Sequence, residues 1–317
     1  MTSAWKYYKA GDTATRASRP QPHSLWCGRC YAAAMVRKPR IAIVGPGRLG
    51  SALAVELTRA GYRISDIVSG NSSASRRKGR ALAELAHSRV VVAGDGLDGD
   101  LVWFCVPDRE IAGAARQLSD AVDWRGKVAL HSSGALASDE LRILRLRGAA
   151  VASVHPLMTF VRGSAPSLED VPFAVEGDPA AVRAAHRVVN DLGAEPFPIS
   201  RNRKMAYHAW GAFASPLLIA LLVTGERVAR VAGLSPAEAR RKALPILRQT
   251  LANYTRLGPA GAFSGPIVRG DAPVVRQHLK ELKKVPEARA VYLALARAGL
   301  HYLPARNRRE LEKLLKK

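Results

Sequence analysis

Short apolar runs alternate with amphipathic segments between residues 40 and 200. This pattern predicts strands at 40–44, 64–68, 89–92, 101–106, 127–131, 150–155 and 173–176. It predicts helices between them at 49–60, 81–86, 111–118, 137–147 and 180–192. Such alternation is typical of a parallel sheet with helices on both faces.

The strand pattern stops after residue 200, and the remaining periodic segments are helical. Helices are predicted at 201–223, 235–256, 271–282 and 286–299. The second begins with Ser235, Pro236 and Glu238, the residues of a capped helix start. The apolar run 209–223 contains Pro216 and is shorter than the roughly 20 residues that span a bilayer. It therefore predicts a buried core helix and no membrane segment.

Residues 1–35 show neither helical nor strand periodicity and are predicted to be a disordered extension, with Met35 as an alternative start. They contain Cys27 and Cys30, a CxxC pair that is half of a zinc site, so no metal site is predicted. Three cysteines in all argue against a disulfide framework. The extension also lacks the apolar core of a secretory signal, so a cytoplasmic location is expected.

A glycine fingerprint joins the first strand to the first helix. Gly45 would allow the tight turn, Gly47 a close approach to a pyrophosphate, and Gly50 close packing of helix on strand. Free N–H groups at the helix start favour a diphosphate. The predicted fold class is therefore α/β, a Rossmann doubly wound parallel sheet at 36–200 followed by a smaller all-helical domain at 201–317. The predicted cofactor-binding residues of this turn are Gly45, Pro46, Gly47, Arg48, Leu49 and Gly50.

The end of the second strand decides which dinucleotide is expected. An acid there would bind a ribose 2′-hydroxyl, but Asp66 falls inside the strand. The strand end instead carries Ser69, Asn71 and Ser72, followed by Arg76. Hydroxyls with an arginine suit a 2′-phosphate, so NADP is favoured over NAD.

The strand at 101–106 places Val106 and Pro107 at the carboxyl edge of the sheet, where ligands of doubly wound sheets bind. We expect both residues near the nicotinamide. Cys105, beside them, is interpreted as a small buried hydrophobe and not as a nucleophile.

Three polar clusters predict a reaction site. Ser132 and Ser133 follow one strand, and His155 ends the next. Lys204, Tyr207 and His208 share one face at the start of the first C-terminal helix, by i, i+3 and i+4 spacing. This face predicts either an open cleft or a hydrogen-bonded anchor, and we favour the cleft. Lys204 or His208 would be the general acid, with Ser132, Ser133, His155 and Tyr207 binding the substrate.

The net charge of +23 is unevenly distributed. Residues 41–200 are neutral, with 18 basic and 18 acidic side chains, whereas residues 201–317 carry 23 basic and 7 acidic ones. A basic surface of this kind can bind nucleic acid. No nucleic-acid motif accompanies the charge, so a solvated basic face is the preferred interpretation.

Five motifs together resemble a group of Rossmann-like bacterial proteins. The group is often described as oxidoreductases or dehydrogenases with a C-terminal helical domain of unknown function, similar to the C-terminal domain of 6-phosphogluconate dehydrogenase. The resemblance covers roughly residues 38–305. It rests on the segments 45–50, 131–135, 153–157, 204–208 and 265–271.

The resemblance extends to 3-hydroxyisobutyrate dehydrogenase, ketopantoate reductase, pyrroline-5-carboxylate reductase and deazaflavin-dependent NADP oxidoreductase. It implies a homodimer formed through the helical domain. Lys204 fits the lysine of 3-hydroxyisobutyrate dehydrogenases, but His208 replaces the asparagine that follows four residues later. That departure leaves the substrate class open.

The sequence thus predicts an NADP-dependent oxidoreductase. It would pass a hydride between nicotinamide and a small carbonyl or imine substrate in the interdomain cleft. A non-catalytic dinucleotide-binding redox sensor is the alternative, and a nucleic-acid-associated protein is less favoured.

Overall fold

A computed structural model describes residues 37–92, 94–162 and 166–316. The predicted extension 1–35, the alternative start at Met35 and the Cys27–Cys30 pair lie outside these residues. Residues 39–317 group into one unit, so the predicted division at 200/201 stays a prediction.

Eight strands form one sheet in the order β3-β2-β1-β4-β5-β6-β7-β8. All neighbours are parallel except β6 and β7, which are antiparallel. The predicted α/β fold with a parallel sheet is therefore confirmed, apart from the direction of this one pair. The order reverses between β1 and β4, which is the switch point of a doubly wound sheet. The strands are β1 Ile41–Val44, β2 Ile64–Ser69, β3 Arg89–Val92, β4 Leu101–Phe104, β5 Val128–His131, β6 Ala150–Pro156, β7 Pro172–Gly177 and β8 Glu195–Pro198.

The central strands are buried on both faces. Every residue of β1, β2 and β4 is buried, because helices pack against both sides of the sheet. This explains why these strands are almost continuously apolar and do not alternate. Strand β8 was not predicted, since two prolines in its four residues conceal the strand pattern.

Helices of the sheet region largely follow the predicted segments. Helix α2 begins eight residues earlier than predicted, at Ser73, because the Ser72 side chain accepts the backbone N–H of Ser75 and caps it. The segment predicted as one helix at 137–147 is a 3₁₀ turn followed by a short helix. The helices are α1 Arg48–Arg59, α2 Ser73–Leu85, α3 Asp108–Ser119, α4 Arg142–Leu146 and α5 Pro179–Asp191.

The helical region follows β8. Helix α8 begins with the predicted capping box at Ser235 and Glu238, and it kinks at Gly258, whose φ of 70° is not helical. Asp271 caps α10 by accepting the N–H of Val274. Helices α9 and α12 were not predicted. The helices are α6 Lys204–Ala214, α7 Pro216–Val231, α8 Pro236–Ala262, α9 Pro266–Arg269, α10 Ala272–Glu281, α11 Pro286–Tyr302 and α12 Arg308–Leu315.

The prediction that 209–223 forms a buried core helix is wrong. The run is broken at Ser215 between α6 and α7, and α7 contains no buried residue. By length and composition alone, the helical stretch Arg201–Val231 could cross a membrane, with a mean hydropathy of 1.5. Large apolar side chains are exposed along α6, α7 and α8, namely Trp210, Phe213, Leu217, Ile219, Leu221, Val223, Leu244, Ile246, Leu251, Tyr254 and Leu257.

Candidate functional site

The glycine turn after β1 has the geometry that a diphosphate site requires. Gly45 has a φ of +102°, and a Cβ there would lie 2.8 Å from both the Cys105 carbonyl oxygen and Val106 Cγ1. A Cβ on Gly50 would lie 2.1 Å from the Gly45 carbonyl oxygen, so α1 can approach the turn only with glycine there. Gly47 is the exposed N-cap of α1, which leaves its backbone open to a ligand.

A cleft of about 590 Å³ opens beside this turn, at the carboxyl ends of β1, β2 and β4. It lies at the switch point, where open α/β sheets bind ligands. Eight of the twelve predicted cofactor-binding residues line the cleft, namely Gly45, Pro46, Gly47, Ser69, Asn71, Ser72, Val106 and Pro107.

The other four lie around the cleft and not in its lining. Gly50 lies beneath the turn, and Leu49 packs against the core. Arg48 donates a hydrogen bond to the Phe160 carbonyl oxygen at 3.3 Å and lines a neighbouring groove. Arg76 is exposed on α2 and lies outside the cleft lining, so its place in the cofactor site stays a prediction.

The lining also contains residues that the sequence interpretation missed. Ser75 and Lys78 line the cleft from α2, and Arg109 lines it from α3. Ser75 Oγ accepts the Gly70 N–H at 2.9 Å and so shapes the loop after β2. For Ser75 and Lys78 the signal was a spacing of three residues, from Ser72 to Ser75 and again from Ser75 to Lys78, because residues three apart are neighbours on a helix face.

Ser69 provides an independent test of whether a dinucleotide fits. Its side chain is buried at the end of β2, and its Oγ has no hydrogen-bond partner among the described residues. An unpaired buried hydroxyl is costly. Because Ser69 lines the cleft, a ligand hydroxyl or phosphate there would satisfy it.

Asp66 plays a structural part, as its position inside β2 indicated. Its carboxylate is fully buried, accepts the backbone N–H of Asp98 and pairs with the Arg89 guanidinium. It therefore ties β2 to β3 and is not available to a ribose. Burial raises the pKa of the Cys105 thiol, which agrees with our interpretation of that residue as a hydrophobe.

The polar residues of the predicted reaction site meet where β5 and β6 end against α6. Lys204 is fully buried, and its Nζ donates to the Ser133 carbonyl oxygen at 3.0 Å and to Ser153 Oγ at 2.7 Å. Burial lowers the pKa of Lys204 to about 8. The prediction that Lys204 projects into an open cleft is therefore wrong for this structure, and it is the hydrogen-bonded anchor.

The loop 131–137 is stiffened from within. His131 is buried; its Nδ1 accepts the Ser133 N–H, so its Nε2 must donate to the Ala137 carbonyl oxygen at 3.0 Å. Burial lowers the pKa of His131 to about 4. Ser133 Oγ accepts two backbone N–H groups, and Ser132 Oγ accepts the Trp103 indole N–H at 2.8 Å. Both predicted substrate-binding serines are thus engaged in holding the loop.

His155 and Tyr207 form a pair beside this loop. The Tyr207 hydroxyl lies 2.8 Å from His155 Nδ1, with the rings T-shaped at 5.5 Å between centroids. His208 is exposed, with its ring centroid 6.4 Å from that of His155. A Cβ on Gly134 would lie 2.8 Å from His155 Nε2, a contact that sequence interpretation missed.

Ion pairs fix the start of α6 against the sheet. The Arg201 guanidinium pairs with Asp139 at 2.9 Å and with the buried Glu176 at 3.3 Å. The Glu176 carboxylate also accepts the Ser138 N–H and hydroxyl. These contacts hold the Lys204–His208 turn at the ends of β5 and β6.

Comparison with known families identifies both halves of the chain. Residues 30–156 match a Rossmann-like domain, and residues 171–298 match the domain of unknown function DUF2520. The chain therefore combines a Rossmann-like domain with a DUF2520 domain. No curated protein matches the chain in sequence.

Solved structures share this fold over most of their length. A candidate NADP oxidoreductase from Bacteroides fragilis is 18% identical, with a TM-score of 0.68 over 82% of this chain and 97% of that one. Protein TM1727 from Thermotoga maritima is 25% identical, with a TM-score of 0.61 over 81% and 96%. A reductive aminase from Aspergillus terreus, in complex with NADPH and ethyl-5-oxohexanoate, is 16% identical, with a TM-score of 0.57 over 84% and 94%.

Proposed function

We propose that the protein is an NADP-dependent oxidoreductase that transfers a hydride between nicotinamide and a small carbonyl or imine substrate. The observation that carries this proposal is the switch-point cleft, with its glycine turn and the unpaired Ser69 hydroxyl. Support comes from the similar folds of the Bacteroides protein and of the NADPH-bound Aspergillus aminase. When bound, the dinucleotide would supply the hydride.

The residues of this chain would bind the dinucleotide at two places. Backbone N–H groups at the start of α1, after Gly47, would hold the diphosphate. Ser72 and Lys78 would hold the 2′-phosphate, because both line the cleft at the first turns of α2. Arg76, which we expected there, is exposed outside the lining.

Calorimetric titration with NADPH and NADH tests cofactor binding and preference. We expect the wild type to bind NADPH more tightly than NADH. Lys78→Ala should lose about 10- to 100-fold in NADPH affinity, since a charge-assisted hydrogen bond contributes roughly 1.5–3 kcal/mol, and little in NADH affinity. Arg77→Ala, an exposed cation next in sequence, is the matched control, and Arg76→Ala tests the sequence-based choice. A folded protein that binds neither nucleotide would refute the proposal.

The proposed substrate site lies between the ends of β5 and β6 and the first turns of α6. His155 and His208 line its inner side, and the buried Lys204 fixes α6 to the loop beneath. Nucleotide oxidation measured with a panel of small ketones and imines tests the reaction. Tight NADPH binding without turnover of any of them would instead support the non-catalytic dinucleotide-binding alternative.

We also propose that a second copy of the chain covers the apolar face of α6, α7 and α8. Monomeric soluble proteins seldom expose contiguous apolar patches above a few hundred Å². Phe213 is 71% exposed and Ile219 58% exposed on this face. The resemblance noted above implies a dimer formed through the helical domain, to which these three helices belong.

Light scattering behind size-exclusion chromatography tests the dimer. We expect a mass of two chains for the wild type and of one chain for Phe213→Glu. Leu146→Glu is the matched control, because Leu146 is equally exposed, at 70%, but lies on α4. A monomeric wild type, or co-sedimentation with lipid vesicles, would contradict the proposal.

A further inference from the structure

The His155–Tyr207 pair lies at the carboxyl edge of the sheet. His155 is the penultimate residue of β6, two residues beyond Ser153, which pairs with His131 at the end of β5. In the sheet, β4 is the neighbour of β5 on the side away from β6, and its carboxyl end lines the dinucleotide cleft. A ligand extending from that cleft along the edge would therefore reach the imidazole.

The proton between the two side chains can be placed. Tyr207 is 8% exposed, and its hydroxyl has no other acceptor than His155 Nδ1 among the described residues. If Nδ1 carried the proton, the phenolic hydrogen would be buried without an acceptor, which is costly. Tyr207 therefore donates to Nδ1, and the second ring nitrogen, Nε2, carries its own hydrogen.

The charged and titratable groups around His155 favour its neutral form. Burial lowers its pKa to about 4, aided by Lys204 and His208 on α6 and by His131 on β5. Burial also raises the pKa of Tyr207 to about 12, so the phenol keeps its proton. Each partner is thus in the state that the hydrogen bond requires.

Other candidates for a proton donor are less well placed. Lys204 Nζ is fully buried and already donates to Ser133 and Ser153. His208 is exposed, and no hydrogen bond orients its ring among the described residues. Within the part of the chain described, His155 Nε2 makes no hydrogen bond, and it lies against Gly134, next to the exposed ring of His208.

We propose that His155 is the catalytic residue that protonates the substrate heteroatom through Nε2, and that Tyr207 positions it and replaces its proton. This rests on the proposed function. As the substrate carbon takes up a hydride with its two electrons, the π bond to oxygen or nitrogen breaks and the heteroatom takes the proton from Nε2. Nδ1 then takes the proton of the Tyr207 hydroxyl. When a solvent proton afterwards restores the hydrogen on Nε2, the Nδ1 proton returns to the phenolate, and both side chains are back in their starting states.

Nitrogen-15 NMR of the imidazole rings tests the proton arrangement without any substrate. We expect His155 to be neutral at pH 6, with hydrogen on Nε2. Tyr207→Phe should raise the pKa of His155, because Nδ1 loses the donor that occupies it. The Tyr292→Phe change is the matched control, since Tyr292 and His278 form a similar T-shaped pair on α11 and α10. Hydrogen on Nδ1 of His155 in the wild type would overturn the proposal.

Steady-state reduction of ethyl 5-oxohexanoate and a panel of other small ketones with NADPH tests the chemical role. We expect His155→Gln to lower kcat by about 10²–10⁴, the usual contribution of proton transfer, with NADPH affinity unchanged. Tyr207→Phe, which keeps the ring in place, should lower kcat less and alter its pH profile, and His278→Gln should change neither.

The outcomes separate this inference from the proposed function. Absent NADPH binding, or binding without turnover, would refute the proposed function and this inference with it. Turnover that survives His155→Gln but is lost in His208→Gln would overturn only the inference and return the acid to His208. Equal losses of kcat in Tyr207→Phe and Tyr292→Phe would exclude Tyr207 as the positioning residue.

Discussion

Gly50 marks the closest approach between the first helix and the glycine turn. A Cβ there would meet the Gly45 carbonyl oxygen at 2.1 Å, and backbone cannot move aside as a flexible side chain can. We expect Gly50→Ala to lower the free energy of unfolding by about 1–3 kcal/mol, typical of overpacking, and to weaken NADPH binding.

Urea denaturation and calorimetry measure both effects. Gly225→Ala is the control, because nothing lies within 4 Å of a Cβ there, and alanine is the better helix former. A Gly50→Ala protein as stable as the wild type would show that the turn is looser than this geometry implies.

Lys204 makes the free energy of unfolding depend on pH, because burial lowers the pKa of its amine in the folded protein. Its pKa is about 8 in the folded protein and 10.5 ordinarily. Between these values the unfolded chain binds the proton that the folded chain has released, so stability rises with pH. One pKa unit corresponds to about 1.4 kcal/mol, so the rise is about 1–3 kcal/mol once solvent screening is allowed for.

Urea denaturation at pH 7.5 and pH 10.5 tests this, with Lys204→Met as the comparison. We expect the wild type to gain stability relative to Lys204→Met as the pH rises. Equal pH slopes in the two proteins would mean that the Lys204 amine titrates normally.

At the residue scale, the glycines were predictable and the polar partners were not. The spacing of Gly45, Gly47 and Gly50 already indicated the conformational role of each of them. Lys204 and Tyr207 were correctly placed on one helix face, since both are buried. The hydrogen bonds from Lys204 to Ser133 and Ser153 depend on how α6 packs against two strands. No local sequence pattern predicts that packing.

At the element scale, apolar periodicity located the central strands to within two residues. It missed β8 because prolines conceal it, and it shortened α2 because the polar first turns of that helix carry no apolar signal. The antiparallel direction of β7 was missed because strand direction depends on the connection after β6, and the described residues of that connection form no helix. The turn chemistry of α8 was readable, since a capping box is a local signal.

The Ser235 cap gives an element-scale prediction. Its side chain accepts the Glu238 N–H while the Glu238 carboxylate accepts the Ser235 N–H. We expect Ser235→Ala to lower the free energy of unfolding by about 1 kcal/mol, the usual value of an N-cap, with NADPH affinity unchanged. Ser235→Asp should restore most of it, since aspartate also caps. Thermal denaturation of the three proteins measures the effect, and equal midpoints would show that the cap contributes nothing.

At the scale of the whole molecule, buried apolar side chains are distributed unevenly between the sheet region and the helical region. The sheet region has two apolar clusters of buried side chains. The helical region has one small cluster, formed mainly by α10, α11 and α12. Helices α6 and α7 contribute almost nothing to a core, although they are the most apolar helices of the chain. The second copy proposed above would cover the apolar side chains that these helices leave exposed.

The proposed dimer would make the stability of the chain depend on protein concentration. If a second copy covers α6, α7 and α8, association stabilises the folded state by mass action, and Tm must rise as the chain becomes more concentrated. We expect a rise of several degrees between 1 and 100 μM for the wild type and for Leu146→Glu. For Phe213→Glu we expect a lower Tm that is the same at both concentrations. Scanning calorimetry over this range measures it. A wild-type Tm independent of concentration, with a monomer mass at both ends, would mean that these helices are stable with their apolar face in water.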